Sequence, residues 1–304
     1  MTWKSRCRRS LLFVPGNDVR KLERADTAGA DTLILDLEDA VATRQKERAR
    51  EEVSNRIRSA AFRASEVAVR VNAPGTRYFE ADLASVVAAG ARLLLIPKAE
   101  SALGIAAVSQ AVSKLERTGE GASVRFLALV ESARGITHVE SIGQATSRLD
   151  GLCFGNADFA LDMGLPDADP STGVVYQARC NLAIAAVATH LSPIDGVCLS
   201  VKDDAAFGAE ATEAVRLGFQ GKLCIHPSQV PLANKIFTPT DSQIAAARRI
   251  IEAWNTATAS GRGVFSLDGK MIDAPLVAVQ KRVLERARSV EELPESMSAV
   301  TESK

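Results

Sequence analysis

Short apolar runs rich in branched side chains recur along the chain: RSLLFV (9–14), DTLILDL (31–37), VAVRV (67–71), RLLLI (92–96), RFLALV (125–130), DGLCF (150–154), IDGVCLS (194–200) and KLCI (222–225). Between them lie segments with helical character, such as VRKLERADTAG, QKERAREEVSNRIRSA, YFEADLASVVAAG, NLAIAAVATHL and AEATEAVRLGF. Several end in Gly, a frequent helix stop. Continuous apolar strands alternating with amphipathic helices predict a parallel sheet covered by helices. Eight such units over roughly 230 residues fit an α/β fold of the (β/α)8 TIM-barrel type, typically about 250 residues long. A doubly wound open sheet is the competing architecture, but no G-x-G-x-x-G follows the first run.

The polar residues support the barrel. Pro15-Gly16-Asn17 follow the first run and Glu38-Asp39 the second; Arg70 lies near the end of the third, Lys98 after the fourth and Glu131 after the fifth. Asn156 and Asp158 follow the sixth, Lys202 and Asp203 the seventh, and His226 the eighth. In a barrel all of these collect on the C-terminal face, where active sites are built. Each alone reads equally as a loop residue or helix cap; their recurrence points to a catalytic mouth.

Beyond residue 236 the pattern changes, so residues 1–236 are expected to form the barrel and 237–304 an extension. TPTDSQIAAARRIIEAW starts a helix with Thr240 and Gln243 spaced as a capping box. VFSLDGKMID predicts a small hairpin turning at Asp268-Gly269, and PLVAVQKRVLERARS a last helix, together a helical and hairpin lid. The polar tail EELPESMSAVTESK is expected to be disordered.

Composition narrows the partners. Lys plus Arg equals Asp plus Glu, at 37 each, which argues against broad electrostatic binding to nucleic acid or an anionic membrane. A local basic pocket for a small anion stays open. The five cysteines form no C-x-x-C pair, and three lie within apolar runs, which suits a reducing cytoplasmic location. The apolar stretch near the start is too short for a signal peptide, and no segment approaches the roughly 20 apolar residues of a membrane span.

A carboxylate at the mouth of a buried strand is costly unless a cation meets it. Glu131 is such a group, and Asp158 comes from the next strand. Two carboxylates, with substrate and water completing the shell, are how Mg2+ is commonly held. An ion pair from Glu131 to Arg70 or Arg134 would also answer the cost. Glu38 and Asp39 are candidates to steady the shell. Arg70 interrupts an apolar strand and suits bidentate recognition of a carboxylate or enolate oxygen, or a structural ion pair. Arg20 and Arg24, four residues apart beside Lys21, present two cations on one helical face, for phosphate groups or simply for solvent. Lys98 invites comparison with a Schiff-base lysine, and His226 with a general base. Asp273, just before Ala-Pro and a helical pattern, reads as an N-cap.

Taken together, RSLLFVPGN, LDLEDAV, VRVNAPG, LLIPKAES, ALVESARG, FGNADFALDMG, CIHPSQV and MIDAPL resemble the citrate lyase β-subunit-like, or CoA-ester lyase, family of the HpcH/HpaI aldolase superfamily, over roughly residues 9–285. The resemblance implies a TIM barrel with a C-terminal lid, a homotrimer, and a Mg2+-dependent carbon–carbon lyase (Mn2+ being the alternative ion). Glu131 and Asp158 then correspond to the metal ligands and Arg70 to the substrate-polarising arginine. Phe13, Arg20 and Arg24 fall where family members contact the CoA thioester. Phe13 departs from the tyrosine of some relatives, removing a hydroxyl; Arg20 and Arg24 replace lysines, keeping charge but not geometry. Asp273 corresponds to a catalytic aspartate that the lid delivers into a neighbouring subunit. The implied reaction is reversible cleavage of a malyl-, citramalyl- or citryl-CoA type of ester to acetyl-CoA and a 2-oxo acid. The rival activities are a metal-dependent aldolase on free hydroxy-oxo acids and a citrate lyase β subunit that depends on a carrier protein.

Overall fold

A computed structural model describes residues 6–59, 62–64, 66–116, 123–167 and 169–293. Eight parallel strands, β1 (Ser10–Pro15), β2 (Thr32–Asp36), β3 (Glu66–Arg70), β4 (Leu93–Ile96), β5 (Arg125–Val130), β6 (Leu149–Phe154), β7 (Ser192–Asp195) and β8 (Gly221–Cys224), close into a barrel in sequence order, with β8 paired to β1. Around them lie α1 (Val19–Ala25), α2 (Lys46–Ser59), α3 (Phe79–Ala88), α4 (Ala102–Glu116), α5 (Ala133–Thr137), α6 (Val139–Gly143), α7 (Asn156–Asp162), α8 (Gly173–Ala188), α9 (Asp204–Arg216) and α10 (Gln229–Ile236). This is the expected (β/α)8 architecture. After it come α11 (Asp241–Ala259), a hairpin of β9 (Phe265–Leu267) and β10 (Lys270–Ile272), and α12 (Ala274–Glu291), which packs on α11.

Strand periodicity explains why the runs read as uniformly apolar. In β5, Leu127 and Leu129 join Leu11, Ile34, Leu95 and Cys153 inside the barrel, while Phe126, Ala128 and Val130 join the layer beneath the helices. Both faces are dry, so every position is apolar. Two residues beyond Leu129, the same inward phase aims Glu131 into the mouth. The N-terminal end of the barrel is closed by ion pairs, including Arg8 with Glu66 at 2.6 Å and Arg9 with Asp31 at 2.7 Å.

The seventh strand lies earlier than its apolar run predicts: it is Ser192–Asp195, not 194–200. Val197 and Cys198 belong to a loop that dips toward the barrel interior. Asn156 Nδ2 and Gln229 Nε2 donate to their carbonyls, at 3.0 and 2.9 Å, in place of strand partners. Cys198 is buried and Val197 partly so, which accounts for their apolar character although they are not in the sheet; Leu199 beyond them is exposed. Lys202 and Asp203 consequently do not mark a strand end; Asp203 caps α9 by accepting from Ala206 N.

In the extension, Thr240 and Gln243 make the expected capping box, and the hairpin turns at Asp268-Gly269 with φ of 51° and 75°. Two consecutive left-handed residues match the twist of a two-stranded hairpin. Arg286 on α12 donates to the carbonyls of Phe237 and Gln220, tying the helix to the barrel. The tail expected to be disordered falls, from residue 294 onward, outside the described residues. Among those described, no helix is long and apolar enough to cross a membrane.

Candidate active site

Two clusters meet at the mouth. The first begins with Asp36 and Arg70, which end β2 and β3 at the same register position. Arg70 Nε donates to Asp36 Oδ1 at 2.7 Å and Nη2 to Oδ2 at 2.6 Å, so one edge of the guanidinium is fully engaged. Asp36 also accepts from the backbone N–H groups of Glu38 and Ala40, which folds the loop after β2 around it. Nη1 is left facing Glu38 at 3.3 Å and Asp39 at 3.4 Å, and the ring of Phe13 lies 4.7 Å from the guanidinium carbon. Lys46 Nζ donates to the carbonyls of Leu37 and Glu38, pinning the same loop from beneath.

In the second cluster Glu131, 3% exposed, and Asp158, in the first turn of α7, bring their carboxyl groups together around the Lys98 ammonium. Lys98 Nζ stands 2.6 Å from Asp158 and 3.5 Å from Glu131. Gly155 makes the fit possible: a Cβ there would run into the Glu131 side chain and stand 2.8 Å from its Oε2.

The charges betray the crowding. Burial pushes the Glu131 carboxyl up to about 7; the Lys98 charge opposes the rise and the neighbouring Asp158 adds to it. Asp158, more exposed, moves the other way: burial would raise it, but hydrogen bonds with Lys98 and Glu131 outweigh that and hold it low. Glu38 is pushed up to about 8, first by burial, with Arg70 opposing and Asp39, Glu131 and Asp36 reinforcing. Its Oε2 is buried without a hydrogen bond, although Arg70 Nη1 is within ion-pair range.

An unpartnered buried oxygen, two carboxyls crowded together and a missing Cβ beside them suit a hard divalent cation. Among the described residues no group of three or more Asp, Glu, His or Cys side chains could hold a metal. Glu131 and Asp158 are the pair of carboxylates that could hold such an ion, with the remaining positions left to water and substrate.

The other expected residues divide. Arg20 lines a cleft of about 500 Å³ with Lys21, Arg48, Gln45, Pro15 at the end of β1 and Ala40, next to Asp39. Arg24, one turn further along α1, is exposed and does not line it. His226 bonds with Ser228 Oγ in its own turn. Asp273 caps α12, accepting from Leu276 N at 3.0 Å, and no described bond joins it to the mouth within one chain. Lys98, the Schiff-base candidate, is ion-paired with Asp158 and Glu131: burial would lower its pKa, but hydrogen bonding to Asp158 and the charges of Glu131 and Asp158 raise it, opposite to the depression that activates a Schiff-base lysine. Asp36, Lys46, Arg48 and Gly155 were not singled out by their sequence positions. Asp36 had a signal, since a charge interrupts each of two neighbouring apolar runs at Asp36 and Arg70.

Residues 9–227 match the HpcH/HpaI aldolase/citrate lyase family. The chain is 37% identical over 284 residues to the citrate lyase subunit beta of Haemophilus influenzae, covering 93% of this chain and 97% of that protein. It is 33% identical over 310 residues to the L-malyl-CoA/beta-methylmalyl-CoA lyase of Cereibacter sphaeroides, covering 94% and 96%. The crystal structure of CitE from Mycobacterium tuberculosis, in complex with magnesium, acetoacetate and coenzyme A, superposes with a TM-score of 0.76 at 31% identity, covering 92% of this chain and 97% of that one.

Proposed function

The chain belongs to the HpcH/HpaI aldolase/citrate lyase family, a family of lyases, and we propose that it cleaves, reversibly, a 3-hydroxy-3-carboxyacyl-CoA thioester to acetyl-CoA and a 2-oxo acid with the help of Mg2+. The observation that carries this reading is the Glu131–Asp158 carboxyl pair sharing the barrel mouth with an arginine already clamped by Asp36. The magnesium and coenzyme A held by the mycobacterial relative support it.

Glu131 and Asp158 would hold Mg2+, which would supply Lewis-acid polarisation of the substrate's oxygens. The hydroxyl proton passes to a carboxylate at the mouth, for which Glu38 with its unpartnered Oε2 is suited. The C–C bond breaks, the hydroxyl carbon becomes the carbonyl of the 2-oxo acid, and the electron pair stays with the thioester as an enolate. Arg70, held on one edge by Asp36, presents Nη1 to developing negative charge without having to reorganise. Asp273, carried by the lid of a neighbouring subunit in a trimer, returns a proton to the enolate carbon and completes acetyl-CoA. Phe13 buttresses the Arg70 plane. Arg20, with Lys21 and Arg48, receives the phosphate end of CoA, and Arg24 acts only at long range.

A second reading, favoured by the identity to citrate lyase subunit beta, is that the acyl group rides on a carrier protein rather than on free CoA. Malyl-, citramalyl- and citryl-CoA, with the corresponding free acids, assayed with Mg2+ and with EDTA, separate these readings. We expect Mg2+-dependent cleavage of at least one CoA ester. Inertness toward all three, relieved by an acyl-carrier partner, would favour the second reading; cleavage of free acids alone would overturn both.

A further inference from the structure

Lys98 reaches the carboxyl pair through an unusual backbone. Two residues past β4 it adopts φ of 53°, a left-handed conformation that side chains with a Cβ rarely take. That conformation aims two donors from one residue at the pair: the backbone N–H bonds Glu131 Oε1 at 2.8 Å, and the ammonium lies 2.6 Å from Asp158 Oδ2. The two carboxylates differ in exposure, Glu131 deeply buried and Asp158 at 34%, while the Lys98 side chain is 39% exposed. One end of the lysine is thus fixed by its backbone, and the other sits on a flexible stem with solvent beside it.

We propose that Lys98 is the resident counter-cation of this pair. In the metal-free chain its ammonium fills the position between Glu131 and Asp158 and keeps two like charges assembled; when a divalent cation binds, the ammonium swings out while the backbone N–H stays on Glu131. Cation binding is then an exchange of one positive group for another, and the chain gives up part of its metal affinity to hold the two carboxyl groups together. The inference rests on reading the pair as a cation site. A lysine present only for surface charge would not need a left-handed backbone to reach a buried carboxylate.

The test is direct titration of the full chain with Mn2+, followed by the electron paramagnetic resonance signal of the free ion at fixed pH and ionic strength. Lys98→Asn removes the ammonium and retains the N–H, and Asn tolerates positive φ. Lys98→Gly is the second uncharged variant, still more permissive of that backbone. Both should bind Mn2+ about three- to tenfold tighter than wild type, the scale on which a partly exposed ion pair contributes. Both should also show a larger rise in melting temperature on adding Mn2+. Lys98→Arg should stay within about twofold of wild type, because the competing charge remains. Equal or weaker binding by both uncharged variants overturns the proposal. Glu131→Gln separates the two levels: if it leaves Mn2+ binding unchanged, the cation-site reading itself fails, and this inference with it. If it abolishes binding while the Lys98 variants change nothing, only the counter-cation role is refuted.

Discussion

Arg70 and Asp36 leave adjacent strands at the same register and hold each other through two hydrogen bonds of 2.7 and 2.6 Å, with Asp36 wholly buried. An arginine so restrained can meet substrate in only one orientation. In Asp36→Asn, an amide replaces one of the accepting oxygens and Arg70 loses its fork. We expect a loss of about 3 kcal/mol in urea-denaturation stability, as when a buried pair is broken. We also expect cleavage to fall about 100-fold, the cost of misplacing a catalytic group by an ångström. A variant that lost stability but kept its rate would show that Arg70 needs no such restraint.

Much of this was legible in the residues, and what was not has identifiable causes. β5 runs from Arg125 to Val130 as its apolar run does, because a strand dry on both faces advertises its whole length. β7 was displaced because Val197 and Cys198 are apolar and wholly or partly buried without being in the sheet, their carbonyls satisfied by Asn156 and Gln229 rather than by a neighbouring strand. Glu131 and Asp158 were foreseeable, since inward phase and strand order bring them to one mouth. Gly155 was not, because its contribution is the Cβ it lacks. Arg20 and Arg24 looked equivalent at helical spacing, and only the position of the cleft distinguishes them. Asp273 caps its helix as the sequence predicts, and the catalytic role proposed for it rests on the family resemblance alone.

If the pair holds a divalent cation as proposed, the raised carboxyls should make its binding pH-dependent. Glu131 is pushed to about 7 and Glu38 to about 8, against an ordinary 4.5. A carboxyl raised in the folded state contributes stability that is complete below its unfolded value and lost as pH climbs through the folded one. The metal-free chain should therefore be most stable on the acidic side of this window and weaken from about pH 5 to 8. A divalent cation needs the ionised pair, so apparent Mn2+ affinity should rise by up to about tenfold per pH unit below 7 and level off above 8. Calorimetric titrations at several pH values, paired with melting curves, check both slopes.

Arg20 and Arg24 should behave differently. Arg20→Ala is expected to raise KM for the CoA ester about fivefold at low salt, with kcat nearly unchanged and the effect shrinking as salt screens it. Arg24→Ala should change KM by less than about twofold. Steady-state kinetics at two ionic strengths measure this; equal effects from both would put the CoA phosphates elsewhere on α1.

Asp273 offers a test of subunit sharing. Asn caps helices about as well as Asp, so Asp273→Asn should keep the melting temperature of wild type while losing most activity. Mixing it with inactive Glu131→Gln, after dissociation and reassembly, should restore part of the activity, because a hybrid pairs an intact lid with an intact carboxyl pair. Recovery of none would place Asp273 in its own chain's site or outside catalysis.

The most direct test of the central claim is the rate at which wild type, Glu131→Gln and Asp158→Asn cleave whichever CoA ester proves to be the substrate, each with saturating Mg2+. A shared cation site predicts that either substitution lowers kcat/KM by about 1,000-fold or more, the scale of losing a principal electrostatic stabiliser, and that EDTA brings wild type down to the same level. Rates within a few fold of wild type in both variants, or full activity in EDTA, would contradict it.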